Sequence, residues 1–231
     1  DALFIADSNN NRIRAVVPPP LPDDLIIELA TSQALLDSLT AVPGSILMIN
    51  VDGREYLLIP NATSVGLDVT LTGNDQLIIV DLGALQSVGG SITISGNLAM
   101  QSIDLSSLAT VDGSLTISGN PALNAILISG VTSIDGDLTV VGTAATVIDV
   151  SSLTTVTGSL DISDNDSATA INMAGLTTVG GSLDLSGNTS VNTIDMGGLT
   201  TVSGDLTVVD NGDAAVDMSA GTDVGGDLTV E

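Results

Sequence analysis

Apolar residues recur along the chain in a pattern that repeats every 22 or 23 positions. The glycine that opens each unit marks this spacing, at Gly90, Gly113, Gly136, Gly158, Gly181, Gly204 and Gly226. Two earlier units, from Leu67 and Gly44, keep the same register with more divergence. One unit of this length cannot bury its own apolar face, so repetition at this period predicts a solenoid in which neighbouring coils stack. We expect eight complete coils and a fragment over residues 44–231.

Within each unit, apolar and polar residues alternate in two short stretches. In the unit from Gly113 these are Leu115–Ile117 and Ile126–Ile128, and the spaced pair Val131 and Ile134 follows. Alternation with a period of two predicts short strands with one face buried, and the spaced pair predicts a third side. The expected fold is therefore all-β, a parallel β-solenoid whose coils lie about 4.8 Å apart.

An asparagine falls at the same place in nearly every coil. The members are Asn74, Asn97, Asn120, Asn165, Asn188 and Asn211, and Thr143 stands in the one remaining position. Asparagine at a turn can hydrogen-bond to backbone groups that no strand reaches. The pattern predicts a structural asparagine ladder along the stack.

The full pattern, G-x-L-x-I-x-x-N-x-x-L-x-x-I-x-L-x-x-L-x-x-V, resembles the receptor L-domain-like repeats, which are related to leucine-rich repeats. The resemblance covers about residues 44–231. It implies a right-handed parallel β-helix that serves as a binding or surface module outside the cell, without enzymatic activity. The chain has no cysteine, whereas the receptor domains contain several, so the resemblance favours a microbial surface protein over a receptor.

The segment before the repeats, residues 23–43, has apolar residues at helical spacing. Acidic residues stand at its start, and Pro43 and Gly44 stand at its end. These features predict an amphipathic helix of about five turns over Asp23–Val42. Placed before the first coil, the helix is expected to cap the N-terminal face of the solenoid.

Residues 1–22 are expected to form an extended arm. Residues 2–17, ALFIADSNNNRIRAVV, resemble the end of an NHL propeller repeat, and the proline-rich stretch Pro18–Pro22 follows as a stiff linker. Sixteen residues cannot form a propeller, whose blades are each about 40 residues long. The arm is therefore either the remnant of an upstream propeller or a strand pair that needs a partner edge.

The last unit, GDLTVE at Gly226–Glu231, includes one strand of the repeat. It leaves an apolar end layer and open strand edges, which favour association. We expect head-to-tail assembly, in which the arm of one subunit adds strands to the last coil of the next. The expected interface consists of Leu3, Phe4, Ile5, Ile13, Val16, Val17, Met218, Leu228 and Val230. The alternative is an adhesive module of a larger surface protein, with a protein or glycan ligand.

The charge of the chain narrows the range of partners. The sequence has 28 acidic residues against three arginines, which gives a formal net charge of −25. Such a surface repels nucleic acid and anionic membranes. No apolar run reaches the roughly 20 residues of a membrane span. The composition suits a salty or calcium-rich medium, so an extracellular or cell-surface location is expected.

Catalysis is not expected, because the sequence has no histidine and no cysteine. A serine or threonine without a base is a poor nucleophile. Calcium binding fits the acidic residues better than catalysis does, since hard cations take oxygen ligands from several loops. The candidate calcium ligands are Asp104, Asp149, Asp195, Asp164 and Asp166. A solvated acidic face with no cofactor is the competing interpretation.

Overall fold

The computed structural model describes residues 24–231, and they form an all-β parallel β-solenoid. In chain order the elements are β1 (Leu25–Ile26), α1 (Gln33–Ser38), β2 (Ile46–Ile49), β3 (Tyr56–Leu58), β4 (Ser64–Val65), β5 (Val69–Thr72), β6 (Ile79–Asp81), β7 (Ser87–Val88), β8 (Ile92–Ser95), β9 (Ser102–Asp104), β10 (Thr110–Val111), β11 (Leu115–Asn120), β12 (Ala125–Leu127), β13 (Ser133–Ile134), β14 (Leu138–Thr143), β15 (Val147–Asp149), β16 (Thr155–Val156), β17 (Leu160–Ser163), β18 (Ala170–Asn172), β19 (Thr178–Val179), β20 (Leu183–Asp184), β21 (Thr193–Asp195), β22 (Thr201–Val202), β23 (Leu206–Val208), β24 (Ala215–Asp217), β25 (Asp223–Val224) and β26 (Leu228–Val230). The predicted fold class is confirmed.

Each coil contributes one strand to each of three faces, as the two alternating stretches and the spaced pair predict. The first face is a ten-stranded sheet, in the order β1-β2-β5-β8-β11-β14-β17-β20-β23-β26. The second face consists of two four-stranded sheets, β3-β6-β9-β12 and β15-β18-β21-β24. The third face is an eight-stranded sheet that runs from β4 to β25. All pairings are parallel and join equivalent residues of neighbouring coils, so apolar side chains form continuous interior columns.

The solenoid has about nine coils, one more than the eight expected from the repeats. The difference comes from β1, which pairs in parallel with β2 through Leu25 and Ile26. Leu25 and Ile27 are buried and belong to the same apolar core as the later coils. The first layer is therefore built by a segment that lacks the repeat pattern.

The expected helix over Asp23–Val42 is wrong for most of its length. Only α1 is helical, and it begins after Ser32, whose hydroxyl accepts a hydrogen bond from the Leu35 amide. Upstream, the β-branched residues Ile26 and Ile27 lie against an open sheet edge, where strand pairing satisfies the backbone and buries Leu25 and Ile27. A strand and one short helix therefore replace the five-turn cap. The NHL-like arm, residues 1–22, lies outside the described residues.

The second face is interrupted between β12 and β15. The first sheet of this face ends at Ala125–Leu127, and the second begins at Val147–Asp149 in the next coil. The first and third faces continue without a break at this level, through the pairs β11 with β14 and β13 with β16. The two halves of the solenoid are thus joined by the first and third faces and separated on the second face.

Candidate functional site

The asparagine column lies inside the turn that follows the first face. Each of its asparagines is buried. Asn97 shows the arrangement: its Oδ1 accepts hydrogen bonds from the backbone amide and Nδ2 of Asn74, and its own Nδ2 donates to the Leu71 carbonyl and to Oδ1 of Asn120. The same bonds recur from Asn165 to Asn211. The column satisfies backbone groups between coils, which is the structural role that the sequence predicts.

Thr143 interrupts this column. Its hydroxyl donates to Oδ1 of Asn165 and so replaces an amide donor on one side. On the other side, Asn120 and Thr143 are paired in the lengthened strands β11 and β14. The break in the asparagine column thus coincides with the coil at which the second face is interrupted.

A second side-chain column, which the sequence analysis did not identify, follows the repeat glycine. Its members are Asp24, Ser45, Asp68, Ser91, Ser114, Asp137, Ser159, Ser182, Asp205 and Asp227. At each step a side-chain oxygen accepts a hydrogen bond from the backbone amide of the next member, for example Ser159 to Asp137 at 2.7 Å. The motif Gly-Ser/Asp was the available signal. We call this set the Ser/Asp column.

The repeat glycine permits this close stacking. A Cβ on Gly113 would lie 2.4 Å from the Ser91 hydroxyl and 2.8 Å from the carbonyl carbon of Gly90. Both distances are well below van der Waals contact, and the second involves backbone that cannot rotate away. Glycine is therefore required at Gly113, and similarly short distances recur at the other repeat glycines from Gly90 to Gly226.

The acidic column on the second face has a local structural role. Asp104 Oδ1 accepts a hydrogen bond from the Ser106 amide at 2.9 Å, which closes an Asx turn at the end of β9. The same bond forms at Asp81, Asp149, Asn172, Asp195 and Asp217. Asn172 makes this bond without a negative charge. The recurrence of these residues is therefore explained by turn geometry without a bound cation.

The structure does not gather the five candidate calcium ligands. Asp104 and Asp149 are separated by Leu127, and Asp149 and Asp195 by Asn172, so each pair lies two coils apart, about 10 Å. Asp164 and Asp166 stand in the turn after β17, where Asp166 accepts a hydrogen bond from the Thr189 hydroxyl. Within residues 24–231, no three acidic side chains are arranged to hold a metal ion.

Two acidic residues stand side by side on the outer surface of the first face. Asp161 and Asp184 are register partners on β17 and β20. Partial burial raises the pKa of Asp161, the hydrogen bond from the Ser163 hydroxyl at 2.6 Å lowers it, and the charges of Asp184 and Asp164 raise it again. The net effect is a raised pKa, because desolvation and like charge disfavour the carboxylate.

Arg54 is the one basic side chain in residues 24–231, and it donates hydrogen bonds to backbone carbonyls. Its guanidinium donates to the carbonyls of Thr31 at 2.9 Å and Tyr56 at 3.0 Å, and more weakly to that of Glu28. Burial lowers the pKa of Arg54 from its ordinary value. The side chain ties the segment before α1 to the first coils, which is a structural role rather than an anion-binding one.

The outer surface of the last described coil is apolar and partly exposed. Leu228 is 56% exposed and Val230 is 47% exposed, whereas their register partners Leu206 and Val208 are buried. Val216, Met218 and Val224 pack on the core but remain partly exposed. We call these five residues the C-terminal face.

The geometry above defines a parallel β-solenoid protein with two hydrogen-bonded side-chain columns. Comparison with protein-family models, with curated proteins and with solved structures finds no significant match to any of them. The likeness to L-domain-like and NHL repeats thus rests on the sequence pattern alone. The one helix of the described residues, α1, is too short to cross a membrane.

Proposed function

We propose that the protein is a non-enzymatic structural module of the cell exterior, which assembles with copies of itself into a surface filament or layer. The observation that carries this proposal is the register of the coils: Leu228 and Val230 continue the columns of the buried Leu206 and Val208, and a strand from a second copy can continue them in the same way. At about 25 cal/mol per Å² of apolar surface removed from water, a subunit docked there gains a favourable contact. Open strand edges beside this layer allow the contact to continue the sheets.

The repeating bonds indicate what kind of surface fits this face. Each coil meets the next through paired strands and through the Ser/Asp column, which reaches the C-terminal face at Asp227. A partner that supplies extended strands in the same register can therefore continue both. The hydrophobic residues of the N-terminal arm, Leu3, Phe4, Ile5, Ile13, Val16 and Val17, are the proposed partner strands in a second copy of the chain.

The charge of the N-terminal arm also favours it as the partner of the C-terminal face. Arg12 and Arg14 are two of the three basic residues of the chain, and the solenoid they would meet is strongly acidic. Opposite charges increase the rate of encounter and disfavour wrong partners. The resemblance to L-domain-like repeats supports a surface location without catalysis, and it is part of this proposal.

The test compares two pairs of substitutions that add the same charge at equally exposed leucine and valine positions. Leu228→Glu with Val230→Glu places two carboxylates on the C-terminal face. Leu98→Glu with Leu127→Glu places them on the sides of the solenoid, where both leucines are also about half exposed. Assembly is followed by sedimentation and electron microscopy at about 1 M salt, where the Debye length of about 3 Å suppresses general repulsion.

We expect fibres from the unchanged chain and from the side variant, and discrete particles from the C-terminal variant. Deletion of residues 1–22 is expected to abolish fibres as well. Fibres from the C-terminal variant contradict assembly through that face, and fibres from the deletion variant contradict the role of the arm. Discrete particles from the unchanged chain favour the alternative, an adhesive module with a protein or glycan ligand.

A further inference from the structure

The interruption of the second face coincides with two other irregularities in the same coil. Thr143 stands where six other coils have asparagine. The core residue Ala145 follows Thr143 by two positions, whereas Leu123 follows Asn120 by three, so the turn is one residue shorter. Both features alter the turn that leads into β15.

The backbone hydrogen bonds between second-face strands are missing at this level, and the Ala144 amide instead donates to the Leu123 carbonyl in the turn just before β15. At the other steps, the residue after each strand donates its amide to the next coil, as Leu82 does to Asp104 and Met173 to Asp195. Leu105 and Val150 make the same bond to Leu127 and Asn172. Ile128 and Asp149 occupy the equivalent positions between β12 and β15, and there the two strands belong to separate sheets.

A narrow apolar gap, too small for a water molecule, lies between the two coils behind the interruption. Its lining includes Ile128 and Val150, the residues that follow β12 and β15. On the outer surface, Leu127 and Val147 are each about half exposed. Atoms that line a gap lose dispersion contacts that close packing would provide. The interface therefore combines a small packing gap with the loss of the strand hydrogen bonds of the second face.

The first and third faces remain intact and limit the motion that this interface allows. β11 and β14 are six residues long, the longest strands of the first face, and are paired from Leu115 with Leu138 to Asn120 with Thr143. If the coils separate only on the second face, the two halves of the solenoid rotate about the edge where the first and third faces meet.

We propose that this interface is a built-in hinge, at which two rigid half-solenoids, residues 24–135 and 136–231, open along the second face while the other two faces stay paired. The opening exposes the edges of β12 and β15 and the apolar residues behind them. It requires no partner and is independent of the assembly proposed above. Local opening of this kind is expected where hydrogen bonds and apolar contacts are sparse.

Amide hydrogen exchange, resolved by residue with NMR, tests the hinge. The informative amide is that of Ala144, because it donates to the Leu123 carbonyl of the preceding coil and so crosses the interface. The reference amides are those of Asn124 and Asn192, which donate to the Gln101 and Thr169 carbonyls at steps where the second face is unbroken. We expect Ala144 to exchange at least about tenfold faster than the references. Equal rates overturn the hinge, since they mean that the coils open only together.

A matched pair of disulfides separates hinge opening from general instability. The chain has no cysteine, so Ala125→Cys with Val147→Cys creates one cross-link over the interface. Ala170→Cys with Thr193→Cys creates the control between paired strands β18 and β21. Ala125 and Val147 hold equivalent positions in neighbouring coils, and paired coils lie about 4.8 Å apart, within the Cα separation that disulfides span. The two loops have nearly the same length, so their effects on the unfolded chain are similar.

We expect the first cross-link to slow exchange at Ala144 to the reference rate, and reduction to restore the fast rate. The control cross-link is expected to leave the difference between informative and reference amides unchanged. Equal effects of the two cross-links overturn the hinge. Because the readout is local exchange in a single chain, its outcome does not depend on whether the protein assembles.

Discussion

Asp161 carries its charge in an unfavourable environment. It is partly buried, and Asp184 stands beside it on the next strand. Because its pKa is raised in the folded state, the folded chain binds a proton more tightly than the unfolded chain does. The contribution of Asp161 to the free energy of unfolding therefore falls as the pH rises from the ordinary pKa to the raised pKa of Asp161. At neutral pH this destabilisation is fully present.

Asp161→Asn is expected to raise the melting temperature at pH 7. Asparagine keeps an oxygen that can accept the hydrogen bond from Ser163 but has no charge to desolvate. The gain is expected to vanish below about pH 3.9, the ordinary pKa of aspartate, where the carboxyl is protonated in both states. Thermal unfolding measured from pH 3 to pH 7 checks this.

Asp112→Asn is the control, because Asp112 is exposed on a turn and loses the same charge. Asp112→Asn is expected to raise the melting temperature at pH 7 by less than Asp161→Asn does. An equal gain would assign the effect to net charge rather than to the surroundings of Asp161.

The role of single acidic residues was only partly predictable from the sequence. The spacing of Asp104, Asp149 and Asp195 indicates a column but not its purpose. In the structure, each closes a turn by accepting the amide two residues later. The small residues that follow, such as Ser106 and Gly197, were the available signal. Distances between carboxylates depend on coil stacking, so a metal site could not be assigned from spacing.

At the scale of elements, the asparagine column holds one turn against the next. Asn97 lies in the middle of an unbroken run and joins Asn74 to Asn120. It is fully buried, so its partners have no access to water when it is removed. Each buried polar group left without a partner costs about 1–3 kcal/mol.

Asn97→Ala is expected to lower the free energy of unfolding by roughly 3–5 kcal/mol, because it leaves the Asn74 amide and the Leu71 carbonyl without their partner. Asn97→Thr is expected to cost less, since Thr143 shows that a threonine hydroxyl can donate along the column. Urea denaturation measures both.

Asn124→Ala serves as the control for loss of an asparagine, because Asn124 is exposed on the neighbouring turn. A change of less than about 0.5 kcal/mol is expected, as for most surface substitutions. If Asn97→Ala is no more destabilising than Asn124→Ala, the column does not stabilise the solenoid.

The repeated elements were predictable from the sequence, whereas the first layer was not. Periodicity located the three strands of each coil because every coil buries the same positions. Residues 25–38 lack that repetition, and their apolar spacing fits a helix as well as a strand. The edge of β2 decides between the two, since it pairs with Leu25 and Ile26. That edge exists only after the coils have stacked, so no local pattern shows it.

At the scale of the whole molecule, repulsion between acidic residues opposes folding. The net charge is −25, and Arg54 is the one basic side chain in the described solenoid. Salt screens such repulsion, with a Debye length of about 10 Å at 0.1 M and 3 Å at 1 M.

The melting temperature is expected to rise by several degrees between about 0.1 M and 1 M sodium chloride, as screening extends to neighbouring coils. Calcium and magnesium chloride at the same millimolar concentration are expected to act alike, because the candidate ligands Asp104, Asp149 and Asp195 lie in separate coils. Scanning calorimetry in the three salts checks both statements. A rise specific to calcium would indicate a site that this geometry does not contain.

The stacking of the coils was predictable because each unit needs its neighbours. The interruption of the second face was not predicted, although Thr143 and the 22-residue spacing from Gly136 to Gly158 mark the coil. A spacing of 22 residues also occurs from Gly204 to Gly226, where β21 and β24 remain paired. The location of the missing residue within the turn decides the outcome, and this depends on three-dimensional contacts.

The Ser/Asp column has a consequence for how such a chain changes its length. Every member makes the same bond to the member after it, from Asp24 to Asp227, so no coil is distinguished by its position. Duplication or loss of one whole unit joins equivalent residues and leaves the column continuous. A partial unit would bring unlike residues together and break it. One more or one fewer whole unit is therefore expected to lengthen or shorten the rod by one coil, about 4.8 Å, without breaking the column.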